Sequence, residues 1–441
     1  MNTSGLKTPI YLDNNASTPV DPRVVECMTR VLEHTYGNPS SRLHSFGRDA
    51  SALVEEAREQ VAWLIGAAAN EIVFTSGATE SCNLAIKGVA EKYGQRGNHI
   101  VTCLAEHEAV FQPCRWLESQ GFNVTWLRPD EYGRVSGQQV DQAITAQTVL
   151  VSIMAANNVV GSINPTAEIG QIAKRRGVLF HCDATQAVGK IPVDVEAMGI
   201  DLLSLSAHKS HGPKGVGALY VRGRSPKVRL SAQIDGGGQE GGLRSGTLNV
   251  PGIVGMGKAC EIARDQMDED ADRIIVLRDR FLEMLSQRIP GTILNGHPEQ
   301  RLPNTLNITL DGAEATELMQ SVPEIAASLG SACTSGTDDP HYVLRAMGLG
   351  EDHAAGSVRF SLGRFTTKEE IDYCIEALAA AVTRLRQRGS QFAAGQTCLP
   401  GCCEGPGCSD VVQIESHFSS HSLPRDSTAQ GARKGSLHET T

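Results

Sequence analysis

Between Glu71 and Arg222 the chain alternates short β-rich runs with helix-like stretches, in the order "EIVFTS", "ATESCNLAIKGVAEKYG", "HIVTCL", "VFQPCRWLESQG", "NVTWLRP", "TVLVSIMAANN", "EIGQIAKRRG", "VLFHCDA", "IDLLSLSAH" and "GALYVR". Strand and helix at this spacing predict α/β layers around a largely parallel sheet. On such a sheet, loops at the strand ends are where a ligand is expected.

Further on, "RIIVLRDRFLEMLSQRI" sets Ile274, Leu277, Phe281 and Leu285 at helical spacing before Pro290 and Gly291 stop it. This predicts the entry to a second domain, continued by the strand-like "NTLNITL" and a helix in "KEEIDYCIEALAAAVTRLRQR". With 441 residues the chain is long enough for two domains with a large core. After Gly389 the composition turns to Gly, Ser, Pro, Gln and Thr, which predicts a flexible tail. A formal charge of -10 makes no overall case for nucleic acid or an anionic membrane as partner. No apolar run approaches the ~20 residues of a membrane span, and "MNTSGLKTPIYLDNN" lacks the build of a signal peptide. The expectation is a cytoplasmic protein whose scattered cysteines stay reduced.

Three strand ends carry candidate chemistry. "FTSGATES" closes a strand and opens a helix, so Ala78 and Thr79 stand where backbone N–H groups and the helix dipole can hold an anion. A glycine turn with a threonine cap also starts many ordinary helices. "VLFHCDATQAVG" ends on Asp183, with Gln186 three residues later. Two readings fit Asp183: a cap of the next helix, or a buried carboxylate paired with a protonated pyridine nitrogen, Gln186 then serving the ring's phenolic oxygen. The third end delivers Lys209 behind Ser206 and His208, both able to bond phosphate. A lysine amine, with an ordinary pKa of about 10.4, becomes a nucleophile only where its charge is disfavoured, and an imine to an aldehyde cofactor removes that difficulty. A solvated loop lysine is the alternative for Lys209 alone; anion cradle, acid and lysine in this order favour the cofactor.

The segments "IYLDNNASTPVDPRV", "GNPSSRLHSFGR", "EIVFTSGATESCNLAIKG", "DATQAVGKIPVD", "HKSHGPKGVGALYVR", "RSGTLNV", "LGSACTSG" and "VRFSLGRFT" resemble the cysteine desulfurases of the NifS and IscS type, which are pyridoxal phosphate enzymes. The likeness runs from about residue 10 to about 388. It implies a fold type I transferase of the aspartate aminotransferase kind, a homodimer with residues 16–259 as the large cofactor domain. Residues 1–15 and 260–388 then form the small domain with the catalytic cysteine loop, and 389–441 the tail. By the same resemblance Lys209 is the Schiff-base lysine, Asp183 the partner of the pyridine nitrogen and Gln186 that of the phenolic oxygen. Ala78, Thr79, Ser206 and His208 match phosphate binders, and Thr247 matches one that crosses from the other subunit. His107 matches the histidine that stacks on the ring, with a capping or packing histidine as its plain alternative. Asn158 aligns with the asparagine at the ring oxygen and Arg359 with the arginine for the substrate carboxylate, to which a guanidinium fork is suited. Cys333, among small residues in "ASLGSACTSGTDD", matches the thiol that takes sulfur from L-cysteine as a persulfide and passes it to an acceptor such as an iron–sulfur scaffold protein.

Val159 and Gly241 stand where the family pattern more often has an acid and an arginine, at positions expected on the cofactor rim or the dimer surface. The tail "CLPGCCEGPGCSD" carries Cys398, Cys402, Cys403 and Cys408, whose spacing is not a common zinc pattern. They leave metal binding, sulfur relay and an unstructured appendage open. Two other functions share part of this equipment. One is a selenocysteine lyase or another lyase of the same fold; the other is an inactive sulfur or metal carrier that works through the tail.

Overall fold

The computed structural model describes residues 6–224, 226–329 and 341–395, with side chains to 388. Cys333 and the four tail cysteines lie outside the described residues. Twelve strands are present among those described. They are β1 Ile10–Tyr11, β2 Ile72–Thr75, β3 His99–Cys103, β4 Asn123–Leu127, β5 Thr148–Ser152 and β6 Leu179–Asp183. The chain continues with β7 Leu202–Ser206, β8 Gly217–Val221, β9 Thr292–Asn295, β10 Thr305–Leu310, β11 Ile325–Ala326 and β12 Ser357–Ser361.

Seven of them form one sheet in the order β2-β8-β7-β6-β5-β3-β4. Pairing is parallel throughout except around β8, which runs antiparallel to both β2 and β7. The runs "TVLVS" and "LLSLS" are buried at every position, as strands covered on both faces must be. Helix Ala78–Tyr93 lies across the sheet and buries Cys82, Leu84, Ala85, Ile86 and Val89 there. The predicted α/β architecture with a mostly parallel sheet is what the chain forms.

A second core surrounds a three-stranded antiparallel sheet of order β12-β10-β9. One 39-residue helix, Val250–Arg288, serves both cores. Its first half packs Ile253, Met256 and Cys260 against the large sheet, and its second half packs Ile274, Leu277, Phe281 and Leu285 in the second core. The division expected at residues 259 and 260 therefore falls inside a continuous helix rather than at a linker. The last helix, Lys368–Gly395, runs past residue 389, where the composition predicted a tail.

β1 pairs in parallel with β11, and the chain that follows it is tied to β12 through Asn14 N to Ser361 O at 3.2 Å and Asn15 N to Ser361 Oγ at 2.8 Å. These ties carry the segment Asn14–Ser17 to the residues that follow β6 and β7 at the centre of the large sheet.

Candidate active site

Every parallel strand of the large sheet from β2 to β7, except the edge strand β4, delivers an expected residue at its carboxyl end. β2 leads through Gly77 to Ala78 and Thr79, β3 to His107, β5 to Asn158, β6 to Asp183 and Gln186, and β7 to Ser206, His208 and Lys209. Together with Arg359 from β12 they line one cleft of about 390 Å³. Thr247 is exposed and does not line this cleft. Cys333 lies outside the described residues.

The anion cradle follows from a helix with no side-chain cap. Gly77 precedes Ala78–Tyr93 and has no side chain to cap it, so the first-turn N–H groups at Ala78 and Thr79 stay unspent at the cleft wall. The hydroxyls of Thr79 and Ser206 make no hydrogen bond among the described residues, and both line the same wall. In the same cleft the Asn158 side-chain amide is likewise unengaged among the described residues, with Oδ1 buried.

Lys209 is 8% exposed, and its Nζ lies 2.7 Å from Asn15 O and 2.9 Å from Ala16 O. Gln186 Nε2 donates to the same Asn15 carbonyl at 2.9 Å, while Lys190 Nζ donates to Gln186 Oε1 at 2.6 Å. The Asn15 side chain bridges onward, with Nδ2 to Asn158 O at 3.2 Å and to Thr305 Oγ1 at 2.9 Å. Arg359, 1% exposed, gives Nη1 to Asn158 O at 3.0 Å and Nη2 to Asp13 Oδ1 at 2.8 Å. Its Nε is buried without a partner among the described residues.

Of the two plain readings, the capping histidine is present in the structure and the helix-capping aspartate is not. Asp183 Oδ1 accepts from Thr185 N at 3.0 Å, closing a turn rather than a helix. His107 caps helix Glu108–Ser119, Nδ1 accepting from Ala109 N at 3.1 Å, yet the same ring lines the cleft. Burial, then the charges of Lys209, Lys214 and Lys190, bring the His208 pKa down to about 4. Glu106, beside His107 and 0% exposed, is pushed well above the usual carboxylate range by burial. Val159 departs from its expected place: it lies 1% exposed in the main core, its N–H bonded to Asn157 Oδ1 at 2.8 Å, because the turn after β5 folds inward.

Asn15, Asp13 and Lys190 carry no role in the sequence reading, yet Asn15 lines the cleft, and Asp13 and Lys190 lie behind it, bonded to the cleft residues Arg359 and Gln186. "YLDNNAST" is a polar run without a helical or strand period, and only the Gln186–Lys190 spacing of four residues hints at a side-chain pair.

The family described as aminotransferase class-V matches residues 10–374. The chain is 55% identical over 382 residues to cysteine desulfurase IscS of Anaeromyxobacter dehalogenans (strain 2CP-C), covering 87% of this chain and 94% of that one. It is 51% identical over 383 residues to cysteine desulfurase IscS of Vibrio campbellii (strain ATCC BAA-1116), covering 86% and 94%. Among solved structures, a NifS-like protein superposes with a TM-score of 0.79 at 40% identity, over 85% of this chain and 99% of the other. SspA in complex with cysteine superposes with a TM-score of 0.72 at 38% identity, over 81% and 99%. With both the architecture and the extent of these likenesses in view, the chain belongs to the class V aminotransferase family, as a cysteine desulfurase of the IscS and NifS kind.

Proposed function

We propose that the cleft binds pyridoxal 5'-phosphate, that Lys209 holds it, and that sulfur from L-cysteine leaves as a persulfide on Cys333 for an acceptor protein. The observation that carries this reading is where the unspent polar groups gather. Folding has left the first-turn N–H groups at Ala78 and Thr79, the hydroxyls of Thr79 and Ser206, the Asn158 amide and Arg359 Nε available at one cleft that also holds Asp183 and Lys209. Such a set suits a ligand with a phosphate at one end and a polar aromatic ring.

When bound, pyridoxal phosphate supplies an electron sink for the charge left at the substrate α-carbon. Asp183, with one oxygen engaged by Thr185, has the other for the protonated ring nitrogen. Gln186 and Asn158 serve the phenolic oxygen, and His107 presents a ring to stack. Arg359 has Nε for the substrate carboxylate, steadied by Asp13 and Asn158 O. Lys209 Nζ moves the α-proton. In the net reaction the Cys333 thiol gains one sulfur atom and cysteine leaves as alanine, so atoms and electrons balance without an outside oxidant.

The exposed Thr247, together with exposed Leu32, Tyr36, Leu43 and Phe46, supports a homodimer in which Thr247 reaches the partner's phosphate. All seven described cysteines are unpaired, which supports a reducing compartment, the cytoplasm. The sulfur acceptor serves iron–sulfur assembly or thiolation.

Purified protein given pyridoxal phosphate should turn yellow and release alanine from cysteine. Cys333→Ala should keep the colour and lower sulfide release at least about a hundredfold, while Lys209→Ala should lose the lysine-linked absorbance. Colourless protein, or full activity in Cys333→Ala, would overturn the reading; alanine from selenocysteine alone would make it a selenocysteine lyase.

A further inference from the structure

We propose that Lys190 is a positioning residue for the cofactor: by holding Gln186 Oε1 it turns the Gln186 amide so that Nε2 faces the ring's phenolic oxygen. This rests on the reading of the cleft as a pyridoxal phosphate site. An amide has a donor end and an acceptor end of nearly the same shape, so a glutamine can sit in the right place and still offer the wrong group. Two contacts prevent that here. Lys190 Nζ donates to Gln186 Oε1 at 2.6 Å. Asn15 O, which can only accept, lies 2.9 Å from Gln186 Nε2. Both demand the same orientation, and the second Nε2 hydrogen is then left for the cleft that Gln186 lines. Because Lys209 Nζ bonds the same Asn15 carbonyl at 2.7 Å, the amide and the cofactor lysine are referenced to one backbone oxygen.

Lys190 is not explained as half of an ion pair. No carboxylate pairs with it among the described residues; its other contact is Asn15 Oδ1 at 3.5 Å. Burial, then Lys209 and Arg359, hold its pKa well below the usual lysine value. A lysine kept beside two other cations, with a neutral amide as its closest partner, costs stability that a smaller apolar side chain would not. Both of its contacts are to cleft residues, and the one to Gln186, at 2.6 Å against 3.5 Å to Asn15, is by far the closer.

The test is a pH titration of the visible absorbance of pyridoxal phosphate-loaded enzyme, compared among the wild type, Lys190→Met, Gln186→Ala and the double variant. With Lys190 gone the amide is held by Asn15 O alone, so the hydrogen bond that favours the ionised ring oxygen weakens and Lys190→Met should raise the titration midpoint by up to about one pH unit. Lys190→Arg, which still donates, should restore the wild-type midpoint. In the Gln186→Ala background Lys190→Met should add no further shift. An unchanged midpoint in Lys190→Met, or an equal shift that persists without Gln186, would overturn the proposal; the latter would mean the lysine acts by charge alone. Should Lys190→Met not fold, Lys190→Ala carries the same comparisons. A wild type that takes up no cofactor would defeat the parent reading, whereas a coloured wild type with an uncoupled Lys190 would defeat only this one.

Discussion

The imidazole of His107 closes the first turn of its helix, and that bond settles which nitrogen carries the proton. A backbone N–H can only donate, so Nδ1, 3.1 Å from Ala109 N, must hold its lone pair, and the neutral ring bears its hydrogen on Nε2. His107 thus offers the cleft a donor and a flat surface; accepting a proton at Nε2 requires the cap to break. His107→Asn separates the two duties, because asparagine is a good N-cap acceptor. The expected outcome is a melting temperature within a few degrees of wild type, as a retained cap costs under about 1 kcal/mol. Meanwhile kcat/KM for alanine formation should fall about a hundredfold or more. Equal losses of stability and activity would reduce His107 to its cap. His107 was legible from "AEHEAV" only by resemblance, since a histidine before a helix reads equally as a cap, and here it is one.

At the scale of elements, the cradle depends on a strand that contributes no chemistry. β8 is wedged antiparallel between β2 and β7, and its first residue, Gly217, is packed so tightly that a Cβ there would meet Gly77 Cα and Leu205 O, each at 2.6 Å. The turn that opens helix Ala78–Tyr93 is thereby held from behind by bare backbone. Gly217→Ala must push that turn, and overpacking of this kind costs roughly 1–3 kcal/mol. Pyridoxal phosphate affinity, followed by equilibrium dialysis, should weaken about tenfold or more, with the sheet still folded by circular dichroism. Unaltered affinity would mean that the strand yields and the turn does not. The strands themselves were readable from their apolar runs, because a buried parallel strand must be apolar on both faces. That β8 runs against its neighbours was not, since its direction depends on the length of the loop before it and on which gap in the sheet is open.

Across the whole molecule, histidines held neutral by burial set the acid limit. His181, 0% exposed, lies between Ser152 Oγ at 2.8 Å and Ser204 Oγ at 2.9 Å, and burial lowers its pKa to about 4 against the opposing pull of Asp183. His211 is lowered to about 4 by burial and then Arg364, with Nδ1 3.0 Å from Pro19 O and Nε2 accepting from Arg364 N at 3.4 Å. An unfolded histidine protonates near about 6.5. Between these values the unfolded chain binds more protons than the folded one, so their contribution is complete above pH ~6.5 and is lost as the pH falls toward 4. Melting temperatures should therefore decline through this window, and His181→Gln should flatten the decline; a flat profile in the wild type would contradict it. The residues that belong to single local patterns were determined by sequence alone: the alternation that dictates an α/β sheet, and the strand-end Asp183, Lys209 and Ala78–Thr79. What tertiary structure decided was the floor beneath them. Asn15 and Lys209 are 194 residues apart, and Arg359 and Asn158 are 201 apart. No periodicity spans such distances, because hydrophobic pattern selects faces and elements, while which carbonyl meets which ammonium is settled only when the second core docks its β12 edge and the Asn14–Ser17 segment against the large sheet.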